Sequence, residues 1–482
     1  MKYKPKTTPF PHQSRATLNA ARQRNHAVFF EPRLGKTKVA LDYTGILALK
    51  GEVKKVLILA PKIALPVWQS EIQKHYPYRA YCETYTHAWE HDGWPDAPTE
   101  FFLAGREETF RRTRDKDGTL LPSPKVTELE RWRPDAILID ESHEYKRPGG
   151  RSSQDGWHLI RRLRKSNGPQ QTPRPYVLLL SGTPSAKGWR DLFAQYRLMD
   201  DTILGTSVGD FDEEYCVYGT GPRKYTVLRY KHLSTLKRKI DSHSTTATAQ
   251  EVGLAGQINF QVIPYQLPPK VRRAYDSLAA EFVASIGGQT ITASNAGVKR
   301  LRLLQLTSGF LTTPERVQVH SEEVKTARDW LSLVFNQGES IVIYCRFTAE
   351  VDAIAAVARG CSFQTVVIDG RTKHSDRVDG IRAFQHSRSR TPRALVFQYQ
   401  AGSRAIELSA AAEVLFTSLP DGWVDFWQAL NRVRGPNQHR PVRITALCAT
   451  ASVDYSVLRS LRAKEDIHRE LLKDPKRFLS GG

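Results

Sequence analysis

Short apolar runs, each about the length of one strand, recur along this chain with helix-forming stretches between them. In the first two hundred residues they are Ala27-Val28-Phe29-Phe30, Leu59-Ala60, Phe101-Phe102-Leu103, Ala136-Ile137-Leu138-Ile139 and Tyr176-Val177-Leu178-Leu179-Leu180. Strands alternating with helices predict a doubly wound parallel sheet. The pattern changes between about 201 and 320, where Thr245-Thr246-Ala247-Thr248-Ala249 reads as polar and without regular structure. Helical periodicity is present from Val271 to Ile286 and from Val298 to Leu306. Strand–helix alternation resumes near Ser321 and runs to about Ala446, and Ser452 to Phe478 predicts a terminal helix rich in Arg, Lys and Leu. The expected fold is α/β: two parallel-sheet lobes, 1–205 and 321–482, joined by a mainly helical linking region with protruding helices, 206–320.

The ends of the apolar runs carry the chemistry. The first leads into Glu31-Pro32-Arg33-Leu34-Gly35-Lys36-Thr37 and then a helix-like stretch. Strand, tight turn and helix in that order make a phosphate cradle: turn amides and the positive helix end face an anion, Lys36 reaches the β- and γ-phosphates, and the Thr37 hydroxyl is placed for magnesium. The first glycine of G-x-x-x-x-G-K-[ST] would fall at Phe30, and Leu-Gly-Lys-Thr also opens ordinary helices. A second run ends in Asp140-Glu141-Ser142-His143, a pair of carboxylates suited to holding magnesium (Asp140) and polarising water (Glu141). A third ends in Ser181-Gly182-Thr183-Pro184. Singly, these read equally well as an acidic loop and a plain turn. Together they sit at the strand ends of an open parallel sheet, where such ligands bind.

In this order and at these separations, Gly35-Lys36-Thr37, Asp140-Glu141-Ser142-His143 and Ser181-Gly182-Thr183-Pro184 resemble motifs I, II and III of helicase superfamily 2. Within it the chain resembles the Swi/Snf-type DNA-dependent ATPases, translocases built from two RecA-like lobes, in a compact form like that of phage and prokaryotic members. Pro11-His12-Gln13 is similar to the glutamine motif, which implies that Gln13 reads adenine. Leu59-Ala60-Pro61-Lys62 with Trp68 resembles motif Ia, and Ala104-Gly105-Arg106-Glu107 stands at motif Ib. In the second half Ser340 to Phe347 resembles motif IV, Ala401-Gly402-Ser403-Arg404-Ala405-Ile406-Glu407-Leu408 motif V, and Gln428 to Gly435 motif VI.

The resemblance implies ATP and magnesium as ligands. ATP would be held by Gln13, Arg33, Leu34, Gly35, Lys36, Thr37, Asp140 and Gly402, and magnesium by Thr37 and Asp140. Lys36, Glu141, Arg432 and Arg434 would be catalytic, with Arg432 the finger that counters charge on the γ-phosphate, an effect of about 10³ to 10⁵ in related phosphoryl transfers. Lys62, Arg106, Arg346, Ser403 and Arg404 would grip the nucleic-acid backbone or couple to it, and Ser181 and Thr183 would link hydrolysis to movement. The chain departs from the family at Arg33, Ser403 and Ala405, where glycines are usual, and at Glu407, where asparagine is common. Arg434 stands one residue short of the usual second arginine.

Charge strengthens the nucleic-acid reading. Lys and Arg number 71 against 50 Asp and Glu, a net charge of +21. The cations cluster at Arg111–Arg114, Arg161–Lys165, Arg388–Arg393 and from Arg223-Lys224 through Lys237-Arg238-Lys239, where Tyr225 and Tyr230 are interleaved. Any one cluster reads as a solvated face; together they favour backbone contacts without sequence specificity, because no base-reading motif is present. No stretch approaches the roughly 18 to 20 apolar residues of a membrane span. The basic start lacks the apolar region of a secretory signal, and the five cysteines form no C-x-x-C pair. The expectation is a monomer of the cytoplasm (a host's, for a phage protein) or the nucleus. Three functions are carried forward: a motor translocating on duplex DNA, a strand-separating DNA or RNA helicase, and a nucleotide-gated binding protein with little hydrolysis. The second needs a wedge hairpin; no obvious one appears in the sequence, and 206–260 is the stretch that could hide it.

Overall fold

The computed structural model describes the chain outside residues 1, 85–97, 112, 115–116, 118–119, 122, 167–174, 186–187, 222–223, 254–257, 282, 287–288, 293, 314, 387–388, 400–406, 435–437, 439 and 473–482. Two compact units result, one of residues 1–253 with 467–474 and one of 254–466 with 475–482. The expected linking region 206–320 is thus divided between them.

In the first unit, besides the two-residue pair Thr113–Arg114 with Leu120–Leu121, the strands are β1 (His26–Phe30), β2 (Lys55–Ala60), β3 (Ala80–Thr84), β4 (Thr99–Gly105), β5 (Ala136–Asp140), β6 (Tyr176–Ser181), the pair β7 (Cys216–Tyr218) and β8 (Val227–Tyr230), and β9 (Ser244–Ala247). Its helices are α1 (Pro11–Gln23), α2 (Lys36–Leu49), α3 (Leu65–His75), α4 (Pro124–Trp132), α5 (Arg151–Ser166), α6 (Arg190–Met199), α7 (Val208–Tyr215) and α8 (Leu233–Ser242). Seven strands form one sheet in the order β9-β1-β6-β5-β2-β4-β3, and every pairing is parallel. All residues of β1, β4 and β6 are buried, as they must be where helices cover both faces of a parallel sheet.

Two readings of the sequence are corrected here. Residues 245–247 of the stretch read as irregular belong to edge strand β9, in register with β1, Ala27 opposite Ser244 and Phe30 opposite Ala247. β-branched threonine suits a strand, and Thr245 is buried because its hydroxyl lies 2.9 Å from His26 Nε2 and accepts from Asn19 Nδ2 at 3.2 Å. A hairpin that was not obvious in the sequence also lies within 206–260: β7 and β8 pair antiparallel.

The second unit holds β10 (Ile258–Tyr265), the hairpins β11 (Val283–Ile286) with β12 (Gln289–Thr292) and β13 (Phe310–Thr313) with β14 (Glu315–Gln318), then β15 (Ile341–Cys345), β16 (Gln364–Ile368), β17 (Arg393–Gln398), β18 (Glu413–Phe416) and β19 (Val442–Ala449). Six of these form a parallel sheet ordered β10-β19-β18-β15-β17-β16. Helices α9 (Pro269–Glu281), α10 (Ala296–Thr307), α11 (Glu322–Asn336), α12 (Thr348–Gly360), α13 (His374–His386), α14 (Trp423–Val433) and α15 (Val453–Leu472, of which residues 467–472 count with the first unit) complete it. The helix expected to run to Ile286 stops at Glu281, and β11 follows. Gly287-Gly288 lies between β11 and β12 in the sequence, a hairpin signal that overrides helical periodicity. Two doubly wound parallel sheets are the framework of two RecA-like lobes.

Within the second core the carboxyls of Glu350, Asp454 and Glu323 act on one another. Glu350 is satisfied by the hydroxyl of Ser418 at 2.8 Å, by Thr417, and by the amides of Arg346 (2.9 Å) and Phe347 (3.1 Å). Asp454 accepts from the Ala449 amide at 2.9 Å and the Thr307 hydroxyl at 3.1 Å, and burial still pushes it up to about 6. Glu323, 1% exposed, has no hydrogen-bond partner at Oε2, and burial followed by the charges of Glu350 and Asp454 raises it far more. A carboxyl whose folded value exceeds its unfolded value near 4.3 binds more protons when folded, so it subtracts stability as pH rises through that window. Glu323→Gln is therefore expected to stabilise this lobe at pH 8 by roughly 1 kcal/mol or more, with a smaller gain at pH 5. Denaturant melts at the two pH values check this, and an equal effect at both would contradict it.

Candidate active site

The phosphate-type loop forms because β1 runs straight into α2 through residues 31–35. Gly35 adopts φ +81°, and a Cβ there would lie 2.2 Å from Gln13 Nε2, so only glycine fits. Gly35 at the N-cap has no side chain with which to cap the first turn of α2. Its amides and positive dipole end are left for an anion, which fits a phosphate. Arg33, standing where the family has glycine, takes φ +68°: the turn demands a left-handed residue, and the arginine adopts it against its Cβ sterics.

Around the loop, Gln13 donates to Leu34 O at 3.1 Å and accepts from the Phe10 amide at 3.0 Å, while His12 Nε2 lies 2.9 Å from Leu34 O. Phe10 itself is 59% exposed and stacks on His12 with ring centres 5.9 Å apart. Lys36 Nζ donates to Phe30 O at 3.0 Å. A Cβ on Gly182 would approach Pro32 Cδ to 3.1 Å and Lys36 Nζ to 3.4 Å, so the Ser181-Gly182 strand end lies against the loop. Burial lowers the Lys36 ammonium from its ordinary value, and the charges of Glu141, Asp140 and Glu31 pull against that shift.

Asp140 ends β5, with Oδ1 accepting the Glu141 amide at 2.9 Å and Oδ2 accepting the Trp68 indole N–H at 3.0 Å. Burial, then the neighbouring Glu141 charge, raises it to about 6. Glu141 has φ +51°, a second left-handed non-glycine in the site. His143 is fully buried, with Nδ1 3.1 Å from Glu141 Oε2 and 3.2 Å from Ser181 Oγ. Burial disfavours its charged form, yet the hydrogen-bonded carboxylates of Glu141 and Glu144 outweigh burial and hold the imidazole above its ordinary value. Gln195 on α6 adds a second bridge, accepting from Ser142 Oγ at 2.9 Å and donating to Pro184 O at 2.6 Å. Thr183 Oγ1 is buried with no hydrogen-bond partner in the described structure. The hydroxyl of Thr37 and the Asp140 carboxylate are hard oxygen donors, the set that suits magnesium.

The backbone-contact candidates of this lobe are in ion pairs. Lys62, 79% exposed, meets Glu108 at 2.7 Å, and Arg106 meets Glu144 at 3.0 Å, which ties the end of β4 to the segment after Asp140. In the second lobe Arg346 is paired with Asp421 at 2.7 Å. The Arg432 guanidinium sits 5.0 Å from the Phe397 ring centre, and that of buried Arg434 5.5 Å from Trp427. Gly402, Ser403 and Arg404 lie outside the described residues.

Sequence reading missed the bridges. Trp68 was placed only by its position after Pro61-Lys62, and Gln195 and Phe10 carried no signal. Trp68→Phe keeps the ring and removes the N–H that favours the charged form of Asp140. Outer partners of metal ligands are typically worth 10- to 100-fold in metal affinity, so we expect magnesium-dependent nucleotide binding to weaken about tenfold. Fluorescent-nucleotide titration at varied magnesium checks it; unchanged magnesium dependence would refute it.

Residues 324–435 match the family model described as helicase conserved C-terminal domain. Over 90% of this chain and 40% of its own length, the human SWI/SNF-related matrix-associated actin-dependent regulator of chromatin subfamily A member 1 is 22% identical. The uncharacterized ATP-dependent helicase YqhH of Bacillus subtilis is 24% identical over 58% of this chain and 43% of its own. The chain thus spans about two fifths of the length of these curated relatives. The solved SWI2/SNF2 ATPase core of Sulfolobus solfataricus in complex with dsDNA aligns over 98% of this chain and 95% of that one, at 16% identity and a TM-score of 0.43.

Proposed function

We propose that this chain, which belongs to the Snf2-type ATPases of helicase superfamily 2, is an ATP-driven nucleic-acid motor that translocates on duplex DNA without reading its sequence. One observation carries the reading: an uncapped helix start with Lys36, the Asp140–Glu141 pair and the Ser181–Thr183 strand end meet in one lobe, joined through buried His143. The α2 amides and Lys36 bind the phosphates. Glu141 orients water and accepts its proton. Thr37 and Asp140 would hold magnesium, which would supply charge neutralisation at the phosphates. His143 and Gln195 pass a change at Glu141 or Ser142 to Ser181 and Pro184, a route that couples hydrolysis to movement of the third strand end. To Arg432 the reading assigns the cationic finger. The net charge of +21 supports a polyanionic partner.

The test is steady-state ATP hydrolysis by the full chain, alone and with duplex DNA, single-stranded DNA or structured RNA. Stimulation greatest with duplex, together with displacement of a triplex-forming strand without unwinding, supports translocation. Greatest stimulation by a single strand or RNA favours the helicase reading, and binding without hydrolysis favours the nucleotide-gated one.

A further inference from the structure

Between the Ser181–Pro184 strand end and β9 stands an element that the proposed cycle does not use. The hairpin of β7 and β8 carries Tyr225, 84% exposed, with Lys224 Nζ 5.1 Å from its ring centre. The pairing register shifts between Val227 and Arg229, and Leu228 there is 56% exposed. An aromatic ring this exposed buries almost nothing in its own lobe. It stands in a strongly basic setting: from Lys224 to Ser242 there are six Lys and Arg against the single acid Asp241. Lys224, Arg229 and Arg238 are exposed. The acids facing it lie on α7, where Asp212 is taken up by Arg190 at 2.6 and 2.8 Å and Glu214 is 4.0 Å from Lys239.

The base of the hairpin is fixed. Tyr230 Oη accepts the Arg190 amide at 3.3 Å and sits against Gly188, where a Cβ would lie 2.3 Å from that oxygen. Gly188 takes φ +152°, and its carbonyl and amide are both held by the Ser185 hydroxyl, at 2.7 and 3.0 Å. Ser185 directly follows Thr183-Pro184. A basic hairpin with an exposed aromatic in its connecting segment is thus rooted on the third strand end of the ATP site. Exposed aromatics flanked by cations are how proteins hold unpaired bases, because every base offers a π face and every phosphate a charge.

We propose that the hairpin of β7 and β8 is a single-strand contact: Tyr225 stacks on an unpaired base while Lys224 and Arg229 hold the adjoining phosphates. This rests on the motor reading and adds to it a preference for junctions between paired and unpaired nucleic acid. The full chain is titrated with a DNA fork carrying 2-aminopurine in its unpaired arm, and with a fully paired duplex of equal length. The expected result is a wild-type preference for the fork with a change in 2-aminopurine emission, a fork-to-duplex affinity ratio about tenfold lower in Tyr225→Ala, and the ratio retained in Tyr225→Phe and Tyr225→Trp. Because the ring is so exposed, the alanine variant has no core to lose. An unchanged ratio in Tyr225→Ala, or an equal loss on fork and duplex, overturns the proposal. Duplex-stimulated hydrolysis in the wild type alongside such a result leaves the motor reading standing, whereas a wild type that binds neither DNA overturns both.

Discussion

Lys36→Ala is expected to lower ATP hydrolysis at least about 10²-fold, with or without DNA, while the lobe stays folded. The ammonium already sits at the mouth of the loop, donating to Phe30 O, and three carboxyls, Glu141, Asp140 and Glu31, act on it electrostatically. When phosphates enter, it exchanges backbone carbonyls for charged oxygens, and removing such a preorganised donor typically costs 10² to 10³ in rate. Its loss also removes a cation that favours the charged form of Asp140, which raises Asp140 further above 6 and weakens magnesium binding at neutral pH. Steady-state hydrolysis with a circular-dichroism melt as control measures this. Turnover within threefold of wild type would mean that phosphate chemistry occurs elsewhere.

Glu141→Gln is expected to remove about 10² to 10⁴ of the hydrolysis rate and leave nucleotide binding intact. The amide preserves the shape of the strained φ +51° corner but cannot accept the proton of the attacking water. The pH dependence has a definite sign. Glu141 raises Asp140, so neutralising Glu141 lowers it. Magnesium-dependent ADP binding is expected to fall below about pH 6 in the wild type as Asp140 is protonated, and to hold to lower pH in the variant. His143 should lose part of its upward shift for the complementary reason: a carboxylate partner has gone. Binding titrations across pH 5 to 8 settle both. A midpoint that moves upward would show that Glu141 does not act on Asp140 as the geometry requires.

The parts of this site that are local in sequence could be read from it. Asp140 with Glu141, and Ser181, each close an uninterrupted apolar run, Lys36 follows another after a five-residue turn, and parallel strands bring such ends to one edge. The departure at Arg33 was visible too, but not its consequence: the loop geometry, not the arginine, sets its backbone at φ +68°. Residues 245–247 were misread because their partner strand is remote. The His26–Thr245 contact that holds them spans 219 positions.

By itself, the sequence determined two lobes of parallel sheet and the strand ends at which phosphate chemistry collects, since strand length, burial and turn chemistry are properties of neighbouring residues. Tertiary structure alone decided which polar atoms meet: Trp68 with Asp140 across 72 positions, Ser142 with Gln195 across 53, and His143 with Ser181 across 38. It alone also rooted a basic hairpin beside the third strand end. Hydrogen bonds of this kind are set by the stacking order of strands and the packing of helices on them, and no local pattern of apolar and polar residues encodes that order.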